Sequence, residues 1–516
     1  MNQKNKTRIG ISLLCAIILL TGCHITPNKK QDGEKKKYPK LVVVYSDAYG
    51  EDSSFSQVQE EINKITRKKL GVEVEFHLIS DSNYSDAVEL MLTSGEQVDI
   101  LWGSNSLFVK AYVNRQLCDL EPLLKENGKD IIDAVGWKYI NCCRIGGTLY
   151  GLPNNRDFAA GWDSYALRKD ILNKYNIKAS DIKNIKDLEK VFDLVLEKEN
   201  GVVPLACTGS LFGNFSLADG INSLVSGGHE NYGQEDEVVD IFETEEYKNR
   251  LKQVRKWYLK GYMGDNILEN TSTITEMIRN GEAFAETVKN KPGMKMQESL
   301  KCEREMEIVQ FGQPAISYNS MAAFPWMITK NSISPELSMK LLNLFYSDED
   351  IMNLLAYGIE GIDYVETEDG HIRAPEGKKG NPYYGGSWRL PNQFITKVWE
   401  GNPLNVWDQV KQYNEDALHS CEIGFNFNVF PVAQKYLKLQ EIYDSYEPIL
   451  ESGLVNPENG LKQMLEELKQ NGLDEVIAEK RRQFESWKNS KNKWGLCRNS
   501  IKTSRFCYIF VRSTLI

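Results

Sequence analysis

The sequence predicts an α/β protein built around parallel sheet and divided between lobes, and three observations carry that prediction. At 516 residues the chain exceeds the roughly 250–300 residues at which a single hydrophobic core stops growing. Its composition, 41% apolar and 26% charged, is globular, neither disordered nor fibrous. Along its first hundred residues, short β-branched runs alternate with stretches of helical periodicity joined by short links. That alternation gives right-handed crossovers and a parallel sheet.

The N-terminus comes first. Lys4, Lys6 and Arg8 precede an apolar run from Ile9 to Leu20. As a helix that run spans about 18 Å, short of a hydrocarbon core of about 30 Å, so residues 1–22 read as a signal peptide. Leu20-Thr21-Gly22-Cys23 resembles the bacterial lipobox. The resemblance implies that the Cys23 thiol carries acyl chains and anchors the chain to the cell membrane on its extracytoplasmic side. Without Lys4, Lys6 and Arg8 the net charge of −10 becomes −13. An acidic chain is a poor partner for nucleic acid, which needs clustered Lys and Arg to displace counterions. Residues 23–40, polar and aperiodic around Pro27, Gly33 and Pro39, form a flexible tether.

Leu41 to Tyr45 suits a buried parallel strand. Ser53 or Ser54 can cap a helix over about Phe55 to Leu70, stopped by Gly71. Val72 to Ile79 alternates as a second strand, Tyr84 to Thr93 is helical, Val98 to Trp102 is a third strand, and Leu107 to Val113 opens another helix. Ligands in such sheets sit beyond the carboxyl ends of the strands, which places Ser46, Asp47, Trp102, Gly103 and Ser104 on the functional edge. Gly146 to Pro153 is turn-rich. Helical stretches follow over Arg168 to Asn173, Ile185 to Leu196 and Tyr247 to Leu259, and Ile274 to Ala285 reads as helix, turn and strand. Gly201 to Gly233 reads as loops bordering a cleft. Leu461 to Trp487, split by Gly472, is a periodic pair of core-packing helices. Residues 493–516 carry five basic and no acidic residues and read as an atypical, disordered tail.

Six cysteines lie between the lipobox and the tail: Cys118, Cys142, Cys143, Cys207, Cys302 and Cys421. No spacing selects a pairing, and buried thiols are expected. The five histidines form no metal-binding motif, so neither metal nor cofactor is expected.

Several motifs together resemble family 1 of the extracellular solute-binding proteins, the lipoproteins that feed bacterial ABC importers. They are Leu92 to Asp99 (LTSGEQVD), Gly147 to Pro153 (GTLYGLP), Leu167 to Leu172 (LRKDIL), Tyr357 to Tyr364 (YGIEGIDY) and Gly472 to Lys480 (GLDEVIAEK). The last two resemble a long subgroup with a characteristic C-terminal domain. The resemblance implies a two-lobe, periplasmic-binding-protein-like (type II) fold with a hinge and an interlobe cleft. It assigns 41–153 plus 268–328 to an N-terminal lobe, and 154–267 plus 329–492 to a C-terminal lobe. Crossings are expected near Pro153 to Asp157, Gly261 to Asn270 and Phe324 to Asn331. The implied partners are a small-molecule solute and the permease subunits of an ABC importer, with the chain itself a monomer.

Ten tryptophans, 24 tyrosines and 19 phenylalanines offer flat apolar faces of the kind that pack on sugar rings, whose hydroxyls need hydrogen-bond partners. An oligosaccharide ligand is therefore expected, with a peptide or other polar solute as the alternative. The ligand-binding candidates are Asp47, Trp102, Ser104, Asp157, Trp162, Trp326, Glu360, Trp388 and Arg389. A glycoside hydrolase, the alternative of another class, needs two carboxylates about 5–9 Å apart flanking one bond, and no motif isolates such a pair. No catalytic residue is assigned.

Overall fold

A computed structural model of the chain describes residues 37–47, 54–211, 238–265, 267–269, 271–316, 318–378, 381, 383, 386–420 and 422–489. The expected signal peptide, Cys23, most of the expected tether, Cys421 and residues 493–516 lie outside the described residues, as does most of the Gly201 to Gly233 stretch. Among the described residues no helix is long and apolar enough to cross a membrane.

In chain order, the strands of the two main sheets are β1 (Lys40–Asp47), β2 (Glu73–Ser80), β3 (Ile100–Trp102), β4 (Ala160–Arg168), β5 (Val203–Leu205), β6 (Ala283–Asn290), β7 (Met306–Gln310), β8 (Pro314–Ile316), β9 (Trp326–Ile328) and β10 (Leu418–His419). The first sheet has the order β9-β3-β1-β2. β1 runs parallel to β2 and β3, and β9 closes the far side antiparallel to β3, setting Trp326 opposite Trp102. Leu41, Val43 and Val44 of β1 are fully buried, as a central strand covered on both faces requires. The crossovers are α1 (Phe55–Lys69), α2 (Tyr84–Ser94) and α3 (Asn105–Val113). α1 packs Phe55, Val58 and Ile62 inward, a stripe at helical spacing.

The second sheet has the order β10-β8-β4-β6-β5, with β7 also on β4. Helices α4 (Ile185–Lys198) and α5 (Glu245–Leu259) join its core through Leu188, Phe192, Leu251 and Trp257. Further along, α6 (Pro335–Ser347) and α7 (Glu349–Tyr357) return to the first core through Leu341, Phe345 and Ile351. After α8 (Val406–Asp416) come α9 (Ala433–Leu450), α10 (Pro457–Gln470) and a last helix over 473–489, and these three belong to the second core.

Two expected segment assignments are corrected by these pairings. Of 268–328, only β9 joins the first sheet, while β6, β7 and β8 complete the second around β4. Of 329–492, the part from α6 to Trp399 packs with the first core. The physical reason is the β3 edge: the apolar β9 pairs there, and the buried stripe of α6 continues the same core. The chain consequently passes between sheets near 153–160, 316–326 and 400–418. In the expected crossing at 261–270, Tyr262, Met263 and Ile267 stay in the second core, and the Tyr262 carbonyl accepts the Leu205 N–H at 2.9 Å.

Two of the resemblance motifs turn out to be locks. Asp99, fully buried, accepts N–H groups of Val42 and Ile333 at 2.8 Å each, the Ser332 hydroxyl at 2.6 Å and the Gln97 amide at 2.6 Å. Asp363 accepts the Ser54 hydroxyl at 2.5 Å and the Ile359 N–H at 2.8 Å. Ser54 therefore opens α1 through its carbonyl, which accepts from Gln57 and Val58, and not through its side chain as expected. Gly358 adopts φ +80°, and a Cβ there would meet Asp363 Oδ2 at 2.4 Å; only glycine fits that turn.

The second core also buries acids. Glu451 is fully buried and accepts hydroxyls from Ser210 at 2.5 Å, Tyr247 at 2.8 Å and Tyr443 at 3.0 Å. Burial pushes its pKa up to about 8 against these donors. Glu286, pushed up to about 7 by burial and by Glu298, shares a pocket with Glu298 and Cys302, their ligand atoms within 4.8 Å of one another. The Lys301 ammonium, 3.1 Å from Glu298 and 3.9 Å from Glu286, supplies the positive charge there. A raised carboxyl pKa leaves stability intact below the ordinary carboxyl range and erodes it as pH rises through the folded value. The melting temperature is therefore expected to fall by several degrees between pH 5 and pH 8.5. Glu451→Gln, neutral throughout, should flatten that slope in a calorimetric pH series.

Candidate functional site

The carboxyl ends of β1 and β3 meet a loop after α7, and aromatic rings fill the junction. Trp102, last in β3, stacks on Phe324 with centroids 5.4 Å apart and planes 4° from parallel. Trp388 meets Phe324 edge-on at 4.9 Å and Trp102 at 6.4 Å. Beneath them Tyr45 touches Trp102 at 5.6 Å and stacks on Trp326 at 5.6 Å. The Tyr84 hydroxyl donates to the Trp102 carbonyl at 2.5 Å, fixing the end of β3. Phe324 and Trp388 are half-buried, whereas Trp102 is 5% and Trp326 2% exposed.

Charged groups bracket these rings. The Arg389 guanidinium lies 5.0 Å from the Trp388 ring and 5.6 Å from that of Trp102, within cation–π range. It donates to the Ser46 hydroxyl at 2.7 Å and to Asp81 at 3.1 Å. On the other side, Arg156 lies 5.8 Å from the Trp388 ring and donates to the Ser320 carbonyl at 3.2 Å. Its neighbour Asp157 is buried and paired with Lys291 and Arg156. Burial opposes ionisation of Asp157, but the two cations prevail and hold its carboxyl below the usual range.

The polar inventory is one-sided. Trp102 Nε1, Trp326 Nε1 and Arg389 Nε are buried with no acceptor among the described residues. All three are donors, and each costs about 1–3 kcal/mol if left unmade. The arrangement can hold a ligand with a broad apolar face and many acceptor oxygens.

The structure thus brings Trp102, Trp388 and Arg389 together, with Asp157 linked to them through Arg156. Asp47 ends β1 beside Ser80 of β2. The remaining candidates are placed elsewhere. Trp326 belongs to the layer beneath the rings, buried because β9 is paired on one edge to β3 and bridged on the other to Leu152. Ser104 caps α3, its hydroxyl accepting the Leu107 N–H at 3.3 Å. Glu360 is exposed on the turn that Asp363 locks. Trp162 stands half-buried on β4 in the second sheet, its carbonyl accepting the Gly312 N–H. Sequence reasoning passed over Arg156 and Asp81. Only the polar run after Pro153 signalled the first, and nothing marked the second.

Of the described cysteines, Cys118, Cys143, Cys207 and Cys302 are free thiols, the last three buried.

Comparison with known proteins follows the same outline. Residues 422–489 match a family described as a domain of unknown function (DUF3502). The chain is 25% identical over 502 residues to a carbohydrate ABC transporter substrate-binding protein of Streptococcus pneumoniae serotype 4, covering 95% of this chain and 99% of that one. It is 21% identical over 497 residues to lipoprotein LipO of Bacillus subtilis, 92% and 91% of the two chains. Among solved structures it resembles the N-glycan transport solute-binding protein NgtS of Streptococcus pneumoniae. The TM-score is 0.74 at 22% identity over 88% of this chain and 100% of that one, and NgtS has also been solved with Man5GlcNAc. The fold is that of the two-domain solute-binding proteins.

Proposed function

We propose that this chain, a homologue of carbohydrate ABC transporter substrate-binding proteins, captures an oligosaccharide at the Trp102–Phe324–Trp388 cluster and delivers it to an ABC importer. The observation that supports this reading is the pairing of half-buried rings with buried N–H donors that lack acceptors. A sugar presents C–H faces to the rings and oxygens to the donors. The relatives support the ligand class, since NgtS has been solved with mannose-containing glycans.

Capture works through the hinge. The rings belong to the first core, Trp102 on its sheet and Phe324 and Trp388 packed against it, and Arg156, Asp157 and Lys291 approach from the crossing and the second. A ligand touching both sides has more contacts in the closed form than in the open one, and that difference in affinity drives closure. No catalytic pair is assigned: Asp81 and Asp157 are ion-paired with Arg389 and Lys291 and serve here to hold those cations beside the rings.

Calorimetric titration with mannose–N-acetylglucosamine oligosaccharides tests the reading. Saturable binding at micromolar Kd or tighter, about −8 kcal/mol, with the glycan recovered uncleaved, is the expected result. Cleavage products would point to an enzyme, and absence of binding across a neutral glycan panel would remove the ligand class. Cys23 is proposed as the lipid anchor, a reading supported by similarity to a protein named as a lipoprotein. Cys23→Ser is expected to abolish labelling by palmitate and to release the protein from the membrane fraction.

A further inference from the structure

We infer that the C-terminal segment matched as a domain of unknown function builds one wall of a second groove, which takes an acidic oligosaccharide. The groove encloses about 1790 Å³, beyond the about 300–1,000 Å³ of a small-molecule pocket, and so fits an extended ligand. One wall is Glu121 to Gly147 of the first core and the other is His419 to Trp487. None of the rings of the first site lines it.

Its chemistry runs against the rest of the molecule. The chain carries a net charge of −10, yet the groove is lined by Lys125, Lys138, Arg144 and Arg482 with Glu121 as its one carboxylate among the described residues. Glu121 serves two of those cations, Lys125 at 2.7 Å and Arg144 at 2.6 Å. Arg482 pairs with Glu479, and Lys138 is bonded to the His419 ring at 2.8 Å. Burial, and the Lys138 ammonium, hold His419 below its usual pKa. Four cations thus line the walls, with Glu121 shared between two of them and Glu479 behind Arg482.

Flat faces accompany that charge. Trp137 and Trp487 are half-buried on opposite walls. Arg144 lies 6.0 Å from the Trp137 ring, while Trp487 is backed by Phe484 at 5.6 Å and Phe425 at 5.7 Å. The side-chain amides of Asn426 and Asn428 add polar groups between them, each with one end already bonded within the protein, while that of Gln483 is spent on the Asn428 backbone and Glu479. Rings for C–H faces, amides for hydroxyls and cations for carboxylates together select hexuronate units.

The test uses the full mature chain and tetragalacturonate as probe. Calorimetry is expected to show saturable binding that weakens with salt. The double variant Lys138→Ala/Arg482→Ala, at two exposed positions, should lose tenfold or more in affinity and part of the salt dependence, with an unchanged melting temperature. Trp137→Ala should weaken binding as well, and Trp388→Ala should leave it intact. Absence of tetragalacturonate binding overturns the proposal. So does binding that Trp388→Ala abolishes and the double variant does not, and so does equal affinity for a poly-glutamate of matched charge. The first site is read separately with the neutral mannose–N-acetylglucosamine probe, so failure there and failure here are distinguishable.

Discussion

Trp388→Ala is expected to weaken oligosaccharide binding by about 10–100-fold while shifting the melting temperature by no more than a few degrees. Trp388 is half-buried, edge-on to Phe324 and flanked by Arg389 and Arg156. Its ring is therefore both the open apolar face and the acceptor for two cations. Truncation removes the face and takes one ring from each guanidinium, Arg389 keeping Trp102 and Arg156 keeping Phe158, a loss of the size seen at interface tryptophans. Trp388→Phe keeps a smaller face and should recover part of the affinity. Trp102→Ala makes an informative contrast. That ring is 5% exposed and supports Phe324 from behind, so its removal should lower affinity and stability together. Titration calorimetry and thermal melts on the same samples separate the two outcomes. Unchanged affinity in Trp388→Ala would place the ligand away from these rings.

Asp99→Ala is expected to destabilise the fold by about 3–5 kcal/mol, among the largest effects available to one substitution. Its carboxylate ties the start of β1 to the turn after β9 through two backbone N–H groups and the Ser332 hydroxyl. Removing it strands the Val42 N–H in the interior, at about 1–3 kcal/mol, and breaks the two part-buried bonds from Ser332 and Ile333 that hold the turn. Asp99→Asn should cost less, since one amide oxygen still accepts. Urea unfolding measures both: a lower midpoint with unchanged slope is the expected signature. A midpoint unchanged in Asp99→Ala would mean that the β1–β9 tie carries no stability.

Local pattern in the chain was enough for the first three strands and their helices, because β-branched runs at Leu41 to Tyr45 and Val98 to Trp102 stand against clear helical stripes. The second sheet was harder to read. β4, with the sequence AGWDSYALR, mixes small, charged and aromatic residues, and only its pairing with β6, β7 and β8 makes it a strand. The return of α6 and α7 to the first core is likewise a long-range choice that no local pattern encodes. At the site, Trp102 and the Trp388-Arg389 pair were legible as aromatics beside turn residues. Ser104 is found capping α3, because a serine before a helix is as good a cap as a ligand contact. Trp326 is found in the buried layer beneath the rings, which local pattern could not foretell because burial of a β-edge tryptophan depends on which strand lies beside it.

The antiparallel β9 brings a timing constraint. The sheet that carries Trp102 cannot be finished until residues beyond 326 exist, and its covering helices extend that wait to about residue 399. Chain growth at about 5–20 residues per second makes the delay tens of seconds after β3 itself has been made. During that interval the β3 edge is an open hydrogen-bonding template, exposed to any strand that arrives sooner. Fragments ending before β9 are thus expected to aggregate instead of behaving as half a receptor.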